Sequence, residues 1–388
     1  MQQRLLFATK LICVSFLLAA CFSAPSDKDV QEDSLDVYPP TPRQVSKQEF
    51  RNIYRASNAF FDSTFPGNSF NGAFLVAKNG QIIFERYRGT AHLKGTDTIT
   101  PATPFHIAST SKTFTAMGIL YLVQEGKLQL TDSIEKFFPQ FPYKGITVHM
   151  LLSQRSALPN YMNVMDQKGW DKTKRATNND VLQYLITERP PLQGTPGKRF
   201  NYCNTNFVLL ALLIEKISGQ SYPAFMQTVF FDRLGMHDSF VFTWADSARA
   251  TPSYKANGVL EPFTWLDETY GDKNIYSTVR DLLKWDQALY GNELIRADLR
   301  EAAFTPYSFE KPGIHNYGLG WRMYTLPEAT IIYHNGWWHG NNSCFYRVVS
   351  DSLTIIALGN RMNRNIYRVK PLIEAVTQLR FSYDAASE

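Results

Sequence analysis

Cysteine is scarce in this chain: four residues in 388, at positions 13, 21, 203 and 344. That is too few for the disulfide framework that staples small exported domains. A membrane-spanning run is missing as well. The apolar stretch "LICVSFLLAA" near the N-terminus has signal-peptide length and is too short to cross a bilayer comfortably. Charge of one sign is not in excess, since 40 basic residues face 35 acidic ones for a formal charge of +5. No long basic tract or nucleic-acid motif occurs, which argues against a nucleic-acid partner. No internal period occurs either, which excludes solenoids and arrays. What the chain does have is apolar residues (44%) and aromatics (14%), enough for a substantial core in one large domain or two ordinary ones.

The N-terminus reads as a targeting segment. "MQQRLLFATK" carries Arg4 and Lys10 and no acid, the apolar run follows, and it ends in "LLAAC". That ending resembles the bacterial lipobox, in which the cysteine, here Cys21, is lipidated and becomes the new N-terminus. An ordinary secretory signal cleaved near Ala20 or Ala24 is the alternative, and either one exports the protein. Residues 22–45 are polar, acidic and proline-bearing and read as a flexible tether. The expected organisation is a signal over 1–20, a tether over 21–45 and a globular domain over 46–388. Losing Arg4 and Lys10 with the signal leaves +3. Cys203 and Cys344 could pair in an oxidising compartment, and the expectation is that they do not.

Within the globular part, "NGAFLVAKNGQIIFERYRG" holds two β-favouring runs around Asn79-Gly80, which suits a type I′ hairpin turn. Near the other end, "ATIIYHNG", "SCFYRVVS" and "SLTIIALGN" read as three strands, and "IYRVKPLIEAVTQLRFS" as a closing helix with Pro371 near its start. The middle is helical: "KTFTAMGILYLVQEG", "NTNFVLLALLIEKISG", "YPAFMQTVFFDRLG" and "TVRDLLKWDQALYG" each end at glycine. The expected fold is α/β (α+β): an antiparallel sheet built from both chain ends, flanked by helices, with a mainly helical inserted subdomain. The sheet subdomain covers about 50–108 and 270–388, the helical one about 109–269.

"FHIASTSKTFTAMG" places Ser109 three residues before Lys112, where an extended segment turns into a helix. Ser-x-x-Lys also occurs at Ser133/Lys136, in an acidic amphipathic stretch, and at Ser308/Lys311, between prolines. Only Ser109 precedes a clear helix. A serine there is ordinarily an N-cap. The alternative uses the same geometry: positions i and i+3 share a helix face, so Lys112 can lie beside the hydroxyl and help remove its proton.

In this setting "FHIASTSKTFTA" resembles the first motif of the serine β-lactamase and penicillin-binding protein superfamily. The similarity is to the branch holding class C β-lactamases, D,D-peptidases and esterases, whose second motif is Tyr-x-Asn and third Lys-Thr-Gly or His-x-Gly. Among the Tyr-x-Asn matches, Tyr161/Asn163 lies in a loop and Tyr290/Asn292 ends a helix. Tyr202/Asn204 opens a buried helix, as in the family. The third motif is His334-Asn335-Gly336, at the end of a strand, where Gly336 would let an extended substrate approach. "LLSQRSALPNY", "NIYSTVRDLLKWDQAL" and "YGLGW" are lesser matches, and the resemblance spans about residues 50–380. Departures are His334 in place of lysine, Asn335 in place of a hydroxyl residue or glycine, and "QRSALP" in place of "HTSGLP".

The resemblance implies an exported, lipid-anchored serine hydrolase facing the periplasm or cell surface, forming an acyl-enzyme on Ser109 from ester or amide substrates, D-amino-acid peptides and peptidoglycan-type molecules among them. Lys112 and Tyr202 would share the acid and base roles, and Asn204 would position substrate or Lys112. The backbone N–H groups of Ser109 and Trp337 would form the oxyanion hole, with His334 and Gly336 beside them. Asn365 and Arg368, in "GNRMNRNIYRV", match the spacing of a class C pair that faces the substrate carboxylate. No metal or organic cofactor is called for, and the membrane is met only through the lipid. A true class C-type β-lactamase and a catalytically silent binding or sensor domain are the rival readings.

Overall fold

The computed structural model describes residues 43–381. The expected leader and tether, Cys21 included, lie outside the described residues. No helix among the described residues is long and apolar enough to cross a membrane.

The described residues hold twelve strands: β1 (Gly72–Lys78), β2 (Gln81–Arg88), β3 (Phe105–His106), β4 (Phe240–Val241), β5 (Ser253–Tyr254), β6 (Leu260–Glu261), β7 (Ile275–Ser277), β8 (His315–Tyr317), β9 (Arg322–Thr325), β10 (Thr330–Trp338), β11 (Asn341–Val348) and β12 (Leu353–Gly359). Seven form the main sheet in the order β2-β1-β12-β11-β10-β9-β8, every neighbouring pair antiparallel. The first strands therefore lie beside the last one, and the helical middle leaves and re-enters at the sheet's edge. Asn79 and Gly80 take positive φ of 51° and 74°, the paired left-handed conformation that the β1–β2 hairpin turn requires.

The central strands are buried on both faces, which explains their unbroken apolar runs. On β1, Ala73, Leu75 and Ala77 join one core cluster with Phe114 and Trp285, while Phe74 and Val76 join another with Phe61 and Leu372. Period-two alternation thus sends each strand's side chains into two separate cores. The first core is shared with the helices Ser111–Gln124, Asn204–Ser218 and Val279–Ala288. The second is closed by the helix Lys47–Thr64, capped by Ser46, and by the helix Lys370–Val376.

Three local expectations change. The helix Lys47–Thr64 was not anticipated, although Ser46 followed by Glu49 is an N-terminal signal. The closing helix is shorter than its apolar pattern, because Arg364–Tyr367 forms a separate 3-10 turn and Thr377 is extended, its hydroxyl bonding back to Ile373. The helix at Tyr222–Met226 widens into a π-turn over Gln227–Phe231. Cys203 and Cys344 are buried free thiols.

The helical layer is fastened to the sheet by a buried ion pair. Arg347 Nε on β11 donates to Asp286 Oδ1 at 2.5 Å, and Thr354 Oγ1 on β12 donates to Asp286 Oδ2 at 2.6 Å. Both charged side chains are at most 1% exposed. Removing one partner strands the other charge in the core. Asp286→Ala should therefore cost about 3–5 kcal/mol in urea unfolding, and a loss below about 1 kcal/mol would mean that the pair is dispensable.

Candidate active site

The short 3-10 turn Ala108–Thr110 leads into the helix that begins at Ser111. Thr110, at the helix start, makes no side-chain cap hydrogen bond, and Ser109 does not cap the helix either. Instead Lys112 Nζ donates to Ser109 Oγ at 3.0 Å and to the backbone carbonyl of Asp272 at 2.6 Å. Ser109 is half-buried and Lys112 fully buried. The turn is itself held to the sheet: Ser343 Oγ on β11 donates to the Ile107 carbonyl at 2.6 Å and lies 2.8 Å from Thr110 Oγ1. Beneath it, His106 Nδ1 accepts from Ala108 N–H at 3.0 Å, so Nε2 carries the proton and donates to Asn274 Oδ1 at 2.8 Å. Ala108 has a positive φ of 49°, a strained conformation that this bond supports.

Gly336 has a role different from the expected one. A Cβ there would lie 2.3 Å from the Ile107 carbonyl oxygen and 2.3 Å from Ser343 Oγ. The close approach that demands glycine is made by the serine turn itself, not by an extended substrate.

Tyr202 and Asn204 flank the start of the helix Asn204–Ser218, and no side chain caps that helix. Lys112 Nζ stands 5.1 Å from the centroid of the Tyr202 ring. The divergent "QRS" segment braces this region. Gln154 Oε1 accepts from Cys203 N–H at 2.9 Å and from Asn206 Nδ2 at 2.6 Å, and Ser156 Oγ donates to Asn206 Oδ1 at 2.5 Å. Asn204 Oδ1 is buried without a partner, one acceptor left over inside the site. His334 is also fully buried; its Nδ1 pairs with the Asn335 carbonyl at 2.8 Å and its Nε2 has no partner. Burial, followed by the nearby charges of Arg322 and Lys112, pushes the imidazole well below its ordinary value, so His334 is neutral.

A cleft of about 330 Å³ opens at Ser109, lined also by Met162, Asn204, Asp272, Lys273, Trp337 and His339. Trp337 is 59% exposed at its mouth. Asn365 and Arg368 are not among the lining residues. Asn365 Nδ2 donates to the Thr64 carbonyl at 3.2 Å, and Arg368 is exposed. Among the alternative motif residues, Lys136 pairs with Asp132, and Tyr161 is buried.

Lys273 is the site residue that sequence reasoning missed. It is buried, with Nζ donating to Tyr161 Oη at 2.7 Å and to Thr269 Oγ1, and 3.5 Å from Asp272 Oδ1. Burial pushes its ammonium below the ordinary lysine range. Nearby, burial alone would raise the Asp267 carboxyl, but hydrogen bonds from His339 and Trp338 outweigh it and hold Asp267 at about 2. That carboxylate pins the loop before Lys273 to the β10–β11 turn. The one signal in the sequence was "GDKN", an acid and a base directly before "IYST".

A protein-family model described as Beta-lactamase matches residues 63–375. A penicillin-binding protein of Bacillus subtilis is 31% identical over 348 residues, which is 85% of this chain and 77% of that protein. Protein flp of Staphylococcus aureus is 29% identical over 280 residues, and the match spans only 54% of its length. A penicillin-binding protein from Bacillus halodurans superposes with a TM-score of 0.70 at 24% identity, over 82% of this chain and 97% of that one. A D-amino acid amidase from Ochrobactrum anthropi SV3, complexed with D-phenylalanine, gives 0.69 at 22%, over 84% and 99%. At these identities the two structures speak to the fold alone.

The support beneath Ser109 titrates. Burial holds folded His106 down at about 4, against an ordinary value of 6.5. A depressed histidine stabilises the fold fully above the unfolded value, and that contribution is lost as pH falls from about 6.5 through 4. The loss is about 1.4 kcal/mol per pH unit at most. His149 and His334 are depressed too and add to the slope. His106→Gln should flatten the fall in urea-unfolding stability between pH 7 and pH 4.5. An unchanged slope would remove His106 from the acid response.

Proposed function

Because the chain belongs to the Beta-lactamase family, a family of serine hydrolases, we propose that it forms an acyl-enzyme through Ser109. The observation that carries this is Lys112 Nζ 3.0 Å from the Ser109 hydroxyl, in a helix start whose serine caps nothing. Ser109 Oγ attacks an acyl carbonyl, and its proton passes to the Lys112–Tyr202 pair. The pair then returns a proton to the departing alcohol or amine. Water repeats the sequence on the acyl-enzyme and frees the acid. Backbone N–H groups of Ser109 and Trp337 would take the developing oxyanion. Asn204, with its unpartnered Oδ1, is free to receive an N–H from the acyl portion.

The favoured substrates are esters and amides of the acyl-D-amino-acid type. Relatives named as penicillin-binding proteins support this. A neutral His334 in the third motif makes efficient β-lactam turnover the weaker alternative. We further propose export and anchoring through a lipidated Cys21, on the strength of "LLAAC" after a short apolar run. Failure of Cys21→Ser to leave the membrane fraction would overturn the anchor.

A fluorophosphonate probe should label the wild-type chain, and Ser109→Ala should lose labelling together with at least about 1000-fold of turnover on short acyl esters and D-alanyl peptides. Activity near wild type in Ser109→Ala would remove the nucleophile assignment. Fast nitrocefin turnover would favour the lactamase, and an unlabelled wild type would favour a silent binding domain.

A further inference from the structure

Asp272 turns two different faces to the two buried lysines. Its backbone carbonyl accepts from Lys112 Nζ at 2.6 Å. Its carboxylate points elsewhere: Tyr161 Oη donates to Oδ2 at 3.1 Å, and Lys273 Nζ stands 3.5 Å from Oδ1. Asp272 is 1% exposed and Lys273 3%, so water screens neither group. The two hydrogen-bond acceptors of Lys112, the Asp272 carbonyl and the Ser109 hydroxyl, are therefore both neutral.

Counting donors puts the positive charge on Lys273. Three acceptors surround its Nζ: Tyr161 Oη at 2.7 Å, Asp272 Oδ1 at 3.5 Å, and Thr269 Oγ1. The Tyr161 proton is directed at Asp272, and the Thr269 proton at the Leu266 carbonyl 2.8 Å away, so both hydroxyls accept from Lys273. An ammonium has three protons to give, one for each acceptor. Burial, with the Asp272 charge next, raises the Tyr161 phenol far above its ordinary value and keeps it a donor.

The backbone at this point is held without help from Lys273. Thr115 Oγ1 donates to the Gly271 carbonyl at 2.6 Å, and a Cβ on Gly271 would lie 2.4 Å from the Phe207 carbonyl oxygen. The chain is thus pressed against two helices, and that contact presents the carbonyl of residue 272 to Lys112. What Lys273 adds is a hold on the carboxylate. The other groups facing this trio leave it alone. Burial raises the Tyr222 phenol and the Cys203 thiol and lowers His106 and His334, so all four are neutral. Asp267 is bound by Trp338 and His339. Glu261 lies on the cleft wall, and Arg322 is stationed at the Tyr202 ring.

We propose that Lys273 is a positioning residue that acts through Asp272: it holds the Asp272 carboxylate away from Lys112, so that Lys112 meets Ser109 among neutral acceptors only. A carboxylate released beside Lys112 would favour its protonated form and oppose removal of the Ser109 proton. The inference rests on Ser109 and Lys112 acting as proposed above.

The test is the pH profile of fluorophosphonate labelling. In Lys273→Met the acid limb should move up by about one pH unit, which slows labelling by about 10-fold at a fixed pH below the limb. Adding Asp272→Asn removes the released charge and should return the limb to its wild-type place. A merely structural role would slow labelling alike at every pH and leave the limb where it was. An unmoved limb in Lys273→Met, or a moved limb that Asp272→Asn does not restore, would overturn the proposal. If Lys273→Met does not fold, Tyr161→Phe loosens the same carboxylate and should move the limb upward by less; no movement there is equally decisive against it. A second readout needs no nucleophile: the Cε signal of Lys112 in Ser109→Ala protein carrying isotope-labelled lysine. Its titration should move to higher pH with Lys273→Met and back with Asp272→Asn, even if the wild-type chain is never labelled. A titration that stays in place sinks this inference and leaves the labelling of Ser109 untouched.

Discussion

β10 loses one of its two strand neighbours after Tyr333, and the site hangs on the edge this frees. Up to Tyr333 the strand pairs with β9; beyond it, from His334 to Trp338, only β11 remains as a strand neighbour. The freed edge is met by the serine turn, pressed so closely that only glycine fits at 336. A single Cβ there would push Ile107 away, and with it Ala108 and Ser109. The nucleophile's position is therefore set by van der Waals contact with a sheet edge, reinforced by Ser343 and Thr110. Such contact is stiff, because protein interiors are packed at near-crystal density.

Around that contact the fold gathers positive charge. Lys112 and Lys273 are buried near Ser109, and Asp272 meets both, Lys112 through its backbone carbonyl and Lys273 through its carboxylate. The other nearby carboxylate, Asp267, is spent on His339 and Trp338. An excess of cations in a low-dielectric pocket favours developing negative charge, which is what attack on a carbonyl generates. Burial, with Arg322 and Lys112 adding to it, suppresses protonation of His334, so the third motif contributes shape and hydrogen bonding without charge.

The elements legible in the sequence were those whose cause is local. Asn79-Gly80 specifies its hairpin, since few other pairs take two successive positive φ values cheaply. The glycine after the helix Asn204–Ser218 ends it in the left-handed region. Ser109 and Lys112 were legible because a helix brings i and i+3 together without help from any other segment. The helix Lys47–Thr64 was obscured by the polar, proline-bearing stretch just before it. Lys273 carries no motif, because its meaning comes from Asp272 meeting Lys112 across 160 residues of sequence. Asn365 and Arg368 had a suggestive spacing, but Asn365 is drawn to the end of the helix Lys47–Thr64, a contact across 301 residues.

The sequence by itself determined the strands and helices, the motif order and the nucleophile's immediate partner, since each depends on backbone preference or helical spacing over a few residues. It also implied the sheet's assembly from both termini, because apolar strand runs occurred only at the two ends of the domain. Tertiary structure alone decided why residue 336 must be glycine and which lysine is the second buried cation. Those properties are differences between what a side chain could bond and what the surrounding chain leaves for it. They exist only once distant segments have packed and water has been expelled.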